Sequence, residues 1–162
     1  MAENDMFGRN VCQFLLSKQL SAPCSHGKSP FCLALEPCID LPRYVFRIRK
    51  YLSVNGEDGE TPVLGGLVLF ERFLNGNVNR ICRKSTHSIF FTCVVLAYKF
   101  VFDDQASLGY LAQVGGISIP QLLDMEQAMF AALGFDAGFD FAAMQKIRER
   151  ISIELLAFDQ DF

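Results

Sequence analysis

Residues 88–102 read Ser-Ile-Phe-Phe-Thr-Cys-Val-Val-Leu-Ala-Tyr-Lys-Phe-Val-Phe, a run that is apolar on every helical face and carries one charge, Lys99. A helix lying on a surface keeps one polar face for water, so this segment belongs in a core. A bilayer span needs about 20 apolar residues, and here Arg83, Lys84, Asp103 and Asp104 close the run on both sides. The sequence therefore predicts a soluble helical domain with this segment as its central helix.

Composition is consistent with that reading. A chain of 162 residues fits one domain with a sizeable core. Hydrophobic residues make up 51%, above the usual globular share, so the excess serves either a dense core or a partner surface. Sixteen phenylalanines without a tryptophan do not choose between the two. A net charge of −3 argues against general nucleic-acid binding, which needs a large positive excess. The local cluster Arg43, Arg47, Arg49 and Lys50 reads as a solvated helix face.

Six cysteines raise the question of disulfides. The acidic start and the short apolar stretch after Val11 do not make a secretory signal, so free thiols in a reducing intracellular compartment, cytoplasmic or nuclear, are expected. Cys24, Cys32 and Cys38 with His26 lack the paired spacing of zinc modules, and no metal site is predicted. Cys82 and Cys93 sit beside or within the apolar run and act as small hydrophobes.

Working outward from the central run, residues 1–39 hold one short helix around Val11 to Leu20 and then an irregular Ser-, Pro-, Gly- and Cys-rich loop. Leu41, Tyr44, Val45, Ile48 and Leu52 recur at helical spacing, with Asp40 as cap and Pro42 in the first turn. A polar loop over residues 53–60 follows. Thr61-Pro62 repeats the cap-then-proline signal, and Asn75-Gly76 ends that helix. Gly65-Gly66 within it predicts close helix packing, since each glycine otherwise costs about 1 kcal/mol relative to alanine. Ser85 or Thr86 is expected to cap the central helix. A short helix from Ser107 to Val114 stops at Gly115-Gly116, and Ser118 with Gln121 forms a capping box for the next, which stops at Gly134. An amphipathic stretch from Phe141 to Leu156 closes the chain. No strand-like alternation competes, so the fold class is all-α.

Two charges interrupt apolar stripes. At about 100° per residue, Ile119, Leu122, Phe130 and Leu133 fall within roughly 40° of Glu126, with Leu123 and Met129 flanking. Lys99 is flanked by Val95, Leu96 and Phe102. Charged groups are rarely buried alone, because desolvation costs several kcal/mol each. Either the two form a structural ion pair between helices, or both stand at the rim of an apolar patch where a partner supplies further hydrogen bonds. The readings are compatible, since a mutual pair can be presented to a partner.

The ordered motifs Thr-His-Ser-Ile-Phe-Phe (86–91), Leu-Ala-Tyr-Lys-Phe (96–100), Tyr-Leu-Ala-Gln-Val-Gly-Gly-Ile (110–117) and Gln-Leu-Leu-Asp-Met-Glu-Gln-Ala-Met-Phe-Ala-Ala-Leu-Gly-Phe-Asp (121–136) resemble the cyclin box. Val-Gly-Gly-Ile followed by a leucine and glutamate helix looks like the P/U-type cyclins. The resemblance implies a five-helix box over residues 40–137, an extension over 1–39 and a helical extension over 138–162. It further implies binding and activation of a cyclin-dependent protein kinase, with Lys99 and Glu126 engaging the kinase's PSTAIRE-type helix. The family's apolar contact positions fall on Leu96, Phe100, Phe130 and Phe135, which would form a pocket for an apolar kinase residue. Leu108 and Leu111 depart from the family's helix-four pattern, and the first box helix lacks the Met-Arg-x-x-Leu docking motif.

No catalytic constellation is present: His26 and His87 have no cysteine or serine beside them in a nucleophile motif, and His87 reads as a structural hydrogen-bonder. The expectation is a non-enzymatic regulatory subunit with no cofactor, no nucleic acid, no membrane and no small-molecule substrate. The alternative is a cyclin-fold adaptor that binds a protein without activating it.

Overall fold

The computed structural model describes residues 5–19, 29–53, 59–76, 81–103 and 106–158, with the backbone alone for 154–158. Cys24 and His26, and most of the polar loop after Ser53, lie outside the described residues. Among those described there are seven helices and no strand: α1 (Met6–Ser17), α2 (Leu41–Tyr51), α3 (Glu60–Gly76), α4 (Thr86–Val101), α5 (Leu108–Gly115), α6 (Ile119–Ala132) and α7 (Phe141–Phe158). The all-α expectation holds.

The central helix is α4, packed against α2, α3, α5 and α6. Eleven of its residues between Thr86 and Tyr98 are buried, as an all-round apolar sequence requires. The phenylalanines divide between both uses left open above. Phe14, Phe70, Phe73, Phe90 and Phe91 are fully buried, whereas Phe100, Phe130, Phe135 and Phe141 are exposed.

Local chemistry accounts for most helix ends. Asp40 Oδ1 accepts from the Arg43 amide at 2.9 Å, and Pro42 occupies the first turn of α2, where an amide has no intrahelical partner. The Ser118 hydroxyl accepts from the Gln121 amide at 3.3 Å while Gln121 Oε1 accepts from the Ser118 amide at 3.0 Å, completing the capping box. Replacing Ser118 with alanine is expected to cost about 1 kcal/mol. Calorimetry should then show a melting temperature lower by about 2–4 °C.

Three boundaries differ from the sequence reading. Helix α1 starts at Met6, earlier than its apolar stretch, because the Asp5 carboxylate caps it through the Gly8 amide at 3.1 Å. Helix α3 starts at Glu60, which leaves Thr61 inside the first turn; Pro62 is still among the first amide positions that need no partner. Ser85 holds the cap position of α4 but makes no cap bond. Its hydroxyl turns back to the preceding turn, accepting from the Cys82 amide at 2.9 Å, and Thr86 donates to the Cys82 carbonyl at 2.8 Å.

Helix α1 packs on α2 and α7 and sends Val11, Phe14 and Leu15 into the common core. Its outer contacts are charged. Arg49 meets Asp5 at 2.6 Å, and Arg49 and Arg148 flank the Phe7 ring. The basic residues of α2 are thus not one uniformly solvated face. Arg49 pairs with α1, and Arg47 Nη2 donates to the Gln113 carbonyl of α5 at 2.6 Å.

The close approach announced by Gly65-Gly66 is present. A Cβ on Gly66 would lie 2.5 Å from Val94 Cγ2 and 2.8 Å from Val94 Cα, and one on Gly65 would run into the Phe139 ring. Glycine here lets α3 and α4 meet backbone to backbone.

Candidate functional site

Helix α4 leaves the core at its C-terminal turn. Leu96 is half-buried, Lys99 partly exposed, and Phe100 and Val101 face outward. Helix α6 lies alongside, with Leu122, Met125 and Met129 buried and Leu133 joining them at its end. Ile119, Leu123 and Phe130 are exposed. At about 100° per residue these three fall roughly 20°, 60° and 40° to one side of Glu126, and the buried four fall to the other. Glu126 therefore stands on the border between the core and an exposed apolar column. The stripe seen in the sequence is wider than one face needs, and burial divides it at the carboxylate.

Lys99 Nζ donates to Glu126 Oε1 at 2.5 Å, joining α4 to α6. The side chains are 27% and 11% exposed, so the pair is shielded without being sealed off. Screening by water is reduced there, which strengthens the pair and raises the cost of removing one member.

The aromatic positions separate into two groups. Phe130 and Phe135 meet edge to face, with ring centroids 5.6 Å apart. Their contact closes a Schellman motif at the end of α6: the Phe135 amide donates to the Phe130 carbonyl at 2.9 Å and the Gly134 amide to the Ala131 carbonyl at 3.0 Å. Gly134 takes φ +69° without cost, but Phe135 follows at φ +61°, a region that a bulky side chain rarely adopts. Phe135 is held there 71% exposed. Phe100 instead packs on Phe139, with centroids 5.0 Å apart. Phe139 escaped the sequence reading because it lies in the non-helical link before α7, where no periodicity marks it; its ring sits over Gly65.

The remaining candidates are structural. His87 Nε2 lies 3.0 Å from the Ile39 carbonyl, which can only accept, so Nε2 carries the proton and Nδ1 is left buried without a partner among the described residues. Burial lowers the His87 pKa below its ordinary value of 6.5, against smaller upward effects of the Ile39 bond and Asp40. The unfolded chain then binds the proton more readily, so this residue contributes stability above pH 6.5 that is lost as pH falls toward the folded-state pKa. A His87→Gln variant should melt with a shallower fall in stability across that window than wild type, measured by circular dichroism at a series of pH values. Cys12, Cys38, Cys82 and Cys93 carry free thiols. Burial pushes the Cys12 thiol up to about 12 and raises that of Cys93, which keeps both protonated and unreactive. Among the described residues no cluster of three potential ligands could hold a metal, and no helix is long and apolar enough to cross a membrane.

The fold is a helical box around α4, and its exposed chemistry is that of a protein-binding domain. The chain matches the cyclin family model over residues 9–137, and it belongs to the cyclin family. That match takes in most of α1 as well as α2 to α6. No curated protein matches the chain. Members of this family are regulatory partners of other proteins rather than catalysts.

Proposed function

We propose that this cyclin binds and activates a cyclin-dependent protein kinase through the surface around Lys99 and Glu126. One observation carries the reading: a shielded ion pair stands at the border of an exposed apolar column, with Phe100, Phe130 and Phe135 facing outward around it. A pair needed only to fix two helices has no use for three exposed phenylalanines beside it. In the proposed complex the pair hydrogen-bonds the backbone of the kinase's PSTAIRE-type helix, and Leu96, Phe100, Phe130 and Phe135 receive an apolar kinase side chain. Binding favours the active orientation of that helix, and activation is limited by the difference in affinity for the active and inactive kinase. The Val-Gly-Gly-Ile motif supports assignment to the P/U-type group, with residues 40–137 as the box and 1–39 and 138–162 as its extensions.

The test uses the purified chain with a panel of purified cyclin-dependent kinases, measuring both affinity and the rate of phosphate transfer to a peptide substrate. At least one kinase should bind and gain rate. Binding without a gain in rate would make the protein an adaptor, and a panel with no binding would remove the proposal.

A further inference from the structure

The link between α6 and α7 carries half of the aromatic pairs at the surface proposed for the kinase. Residues 133–140 are not helical, yet this link supplies Phe135 to the Phe130 contact and Phe139 to the Phe100 contact. An irregular segment keeps one conformation only where its backbone groups are tied down. At the start of the link the Schellman bonds do this. Phe135 itself stands at φ +61°, which a phenylalanine holds only where its surroundings over-determine it. Beyond Phe135 the backbone is gripped by a side chain of α3. Arg72 donates from Nη1 to the Asp136 carbonyl at 3.1 Å and from Nη2 to the Gly138 carbonyl at 2.8 Å. Between these two acceptors the Asp136 carboxylate accepts from the Gly138 amide at 2.9 Å, which tightens the turn. Gly138 lies against the Phe100 ring, since a Cβ there would stand 3.7 Å from Phe100 Cε2. One gripped carbonyl thus follows Phe135 directly, and the other shares its peptide plane with the Phe139 amide.

We propose that Arg72 is a positioning residue of the kinase-binding surface. Its guanidinium fixes the link so that Phe135 stands against Phe130, and Phe139 against Phe100, before a kinase arrives. This role rests on the kinase reading above and adds to it a residue that acts through Phe135 and Phe139. The planar fork is the feature the geometry uses: two terminal nitrogens reach two carbonyls at once, and a lysine ammonium of equal charge offers no such fork. A surface held ready in this way loses less freedom on association. Without the fork every contact residue is still present, but the link must be ordered by the kinase at the expense of affinity.

Two measurements on the full chain test this role. Amide hydrogen exchange needs no kinase: the Phe135 and Gly138 amides should exchange roughly tenfold faster in Arg72→Met than in wild type, with those of α4 unchanged. Methionine keeps the aliphatic stem on α3, so the fold is retained. The second measurement is affinity for a kinase that the wild-type chain binds. Arg72→Met should bind roughly tenfold more weakly, and Arg72→Lys should not restore the loss. In a chain already carrying Phe135→Ala, adding Arg72→Met should cost about threefold or less, because the two residues act through one contact. A brace for the fold alone would not show that coupling. Full additivity with Phe135→Ala, wild-type affinity in Arg72→Met, rescue by Arg72→Lys, or unchanged exchange at Phe135 and Gly138 would each overturn the role of Arg72 while leaving kinase binding in place. A wild-type chain that binds no kinase would instead remove the kinase reading, and this role with it.

Discussion

Glu126→Ala and Lys99→Ala are each expected to weaken kinase binding on the order of a hundredfold while the circular dichroism spectrum stays that of the wild type. The cost to the fold is limited by position. Removing one member of a fully buried pair costs about 3–5 kcal/mol; in Glu126→Ala the remaining Lys99, 27% exposed, can turn its ammonium to water, so about 1–2 kcal/mol is expected, whereas Lys99→Ala leaves a carboxylate only 11% exposed and costs about 3 kcal/mol. A charge-swapped chain, Lys99→Glu with Glu126→Lys, separates the two roles. It restores an ion pair across α4 and α6, and with it thermal stability. It does not restore binding if the pair meets a partner's backbone, because donor and acceptor have changed places. Recovery of affinity in the swapped chain, or equal affinity in the single variants, would assign the pair a structural role only.

Gly66→Ala is expected to lower stability by about 2 kcal/mol despite removing a poor helix former. The new methyl meets Val94 at 2.5 Å from Cγ2, 2.8 Å from Cα and 3.0 Å from the amide nitrogen. Two of these atoms are backbone of the central helix, so α3 and α4 must separate along their most extensive contact. In a chain of this size that loss lowers the melting temperature by about 4–8 °C. Gly65→Ala is the control. Its methyl would meet the Phe139 ring, a side chain in an irregular link that can turn aside, and the Ala97 Cβ of α4 at 3.0 Å, which needs a shift of only a few tenths of an ångström. Gly65→Ala should fall between neutral and half the effect of Gly66→Ala in differential scanning calorimetry. A Gly66→Ala chain as stable as wild type would show that the α3–α4 contact relaxes more easily than its geometry implies.

The class of fold was legible because it depends on patterns that survive without neighbours. Residues 88–102 have no polar face, and such a helix can only be central. Asp40, Ser107 and Ser118 cap their helices through their own first-turn amides. The ion pair was legible too, since two lone charges in apolar stripes have few ways of avoiding desolvation. Capping failed as a guide at Ser85 because its hydroxyl found a closer acceptor and donor in the preceding turn at Cys82. The basic cluster of α2 read as solvent-facing because its acceptors lie far away in sequence: Asp5 for Arg49 and the Gln113 carbonyl for Arg47.

What the sequence determined by itself was the number and order of the main helices and the central place of α4, and it offered the pairing of Lys99 with Glu126 as one of two readings, which the structure then showed. Helix periodicity, caps and the cost of a buried charge act locally or between one pair of residues. What only the tertiary structure decided was which side of Glu126 is covered. On one side Leu122, Met125 and Met129 meet the core, and on the other Ile119, Leu123 and Phe130 meet water. All six are apolar, so their composition cannot separate them. The separation comes from the packing of α6 against α4, which covers less than the full width of its apolar stripe and leaves the remainder exposed beside the pair.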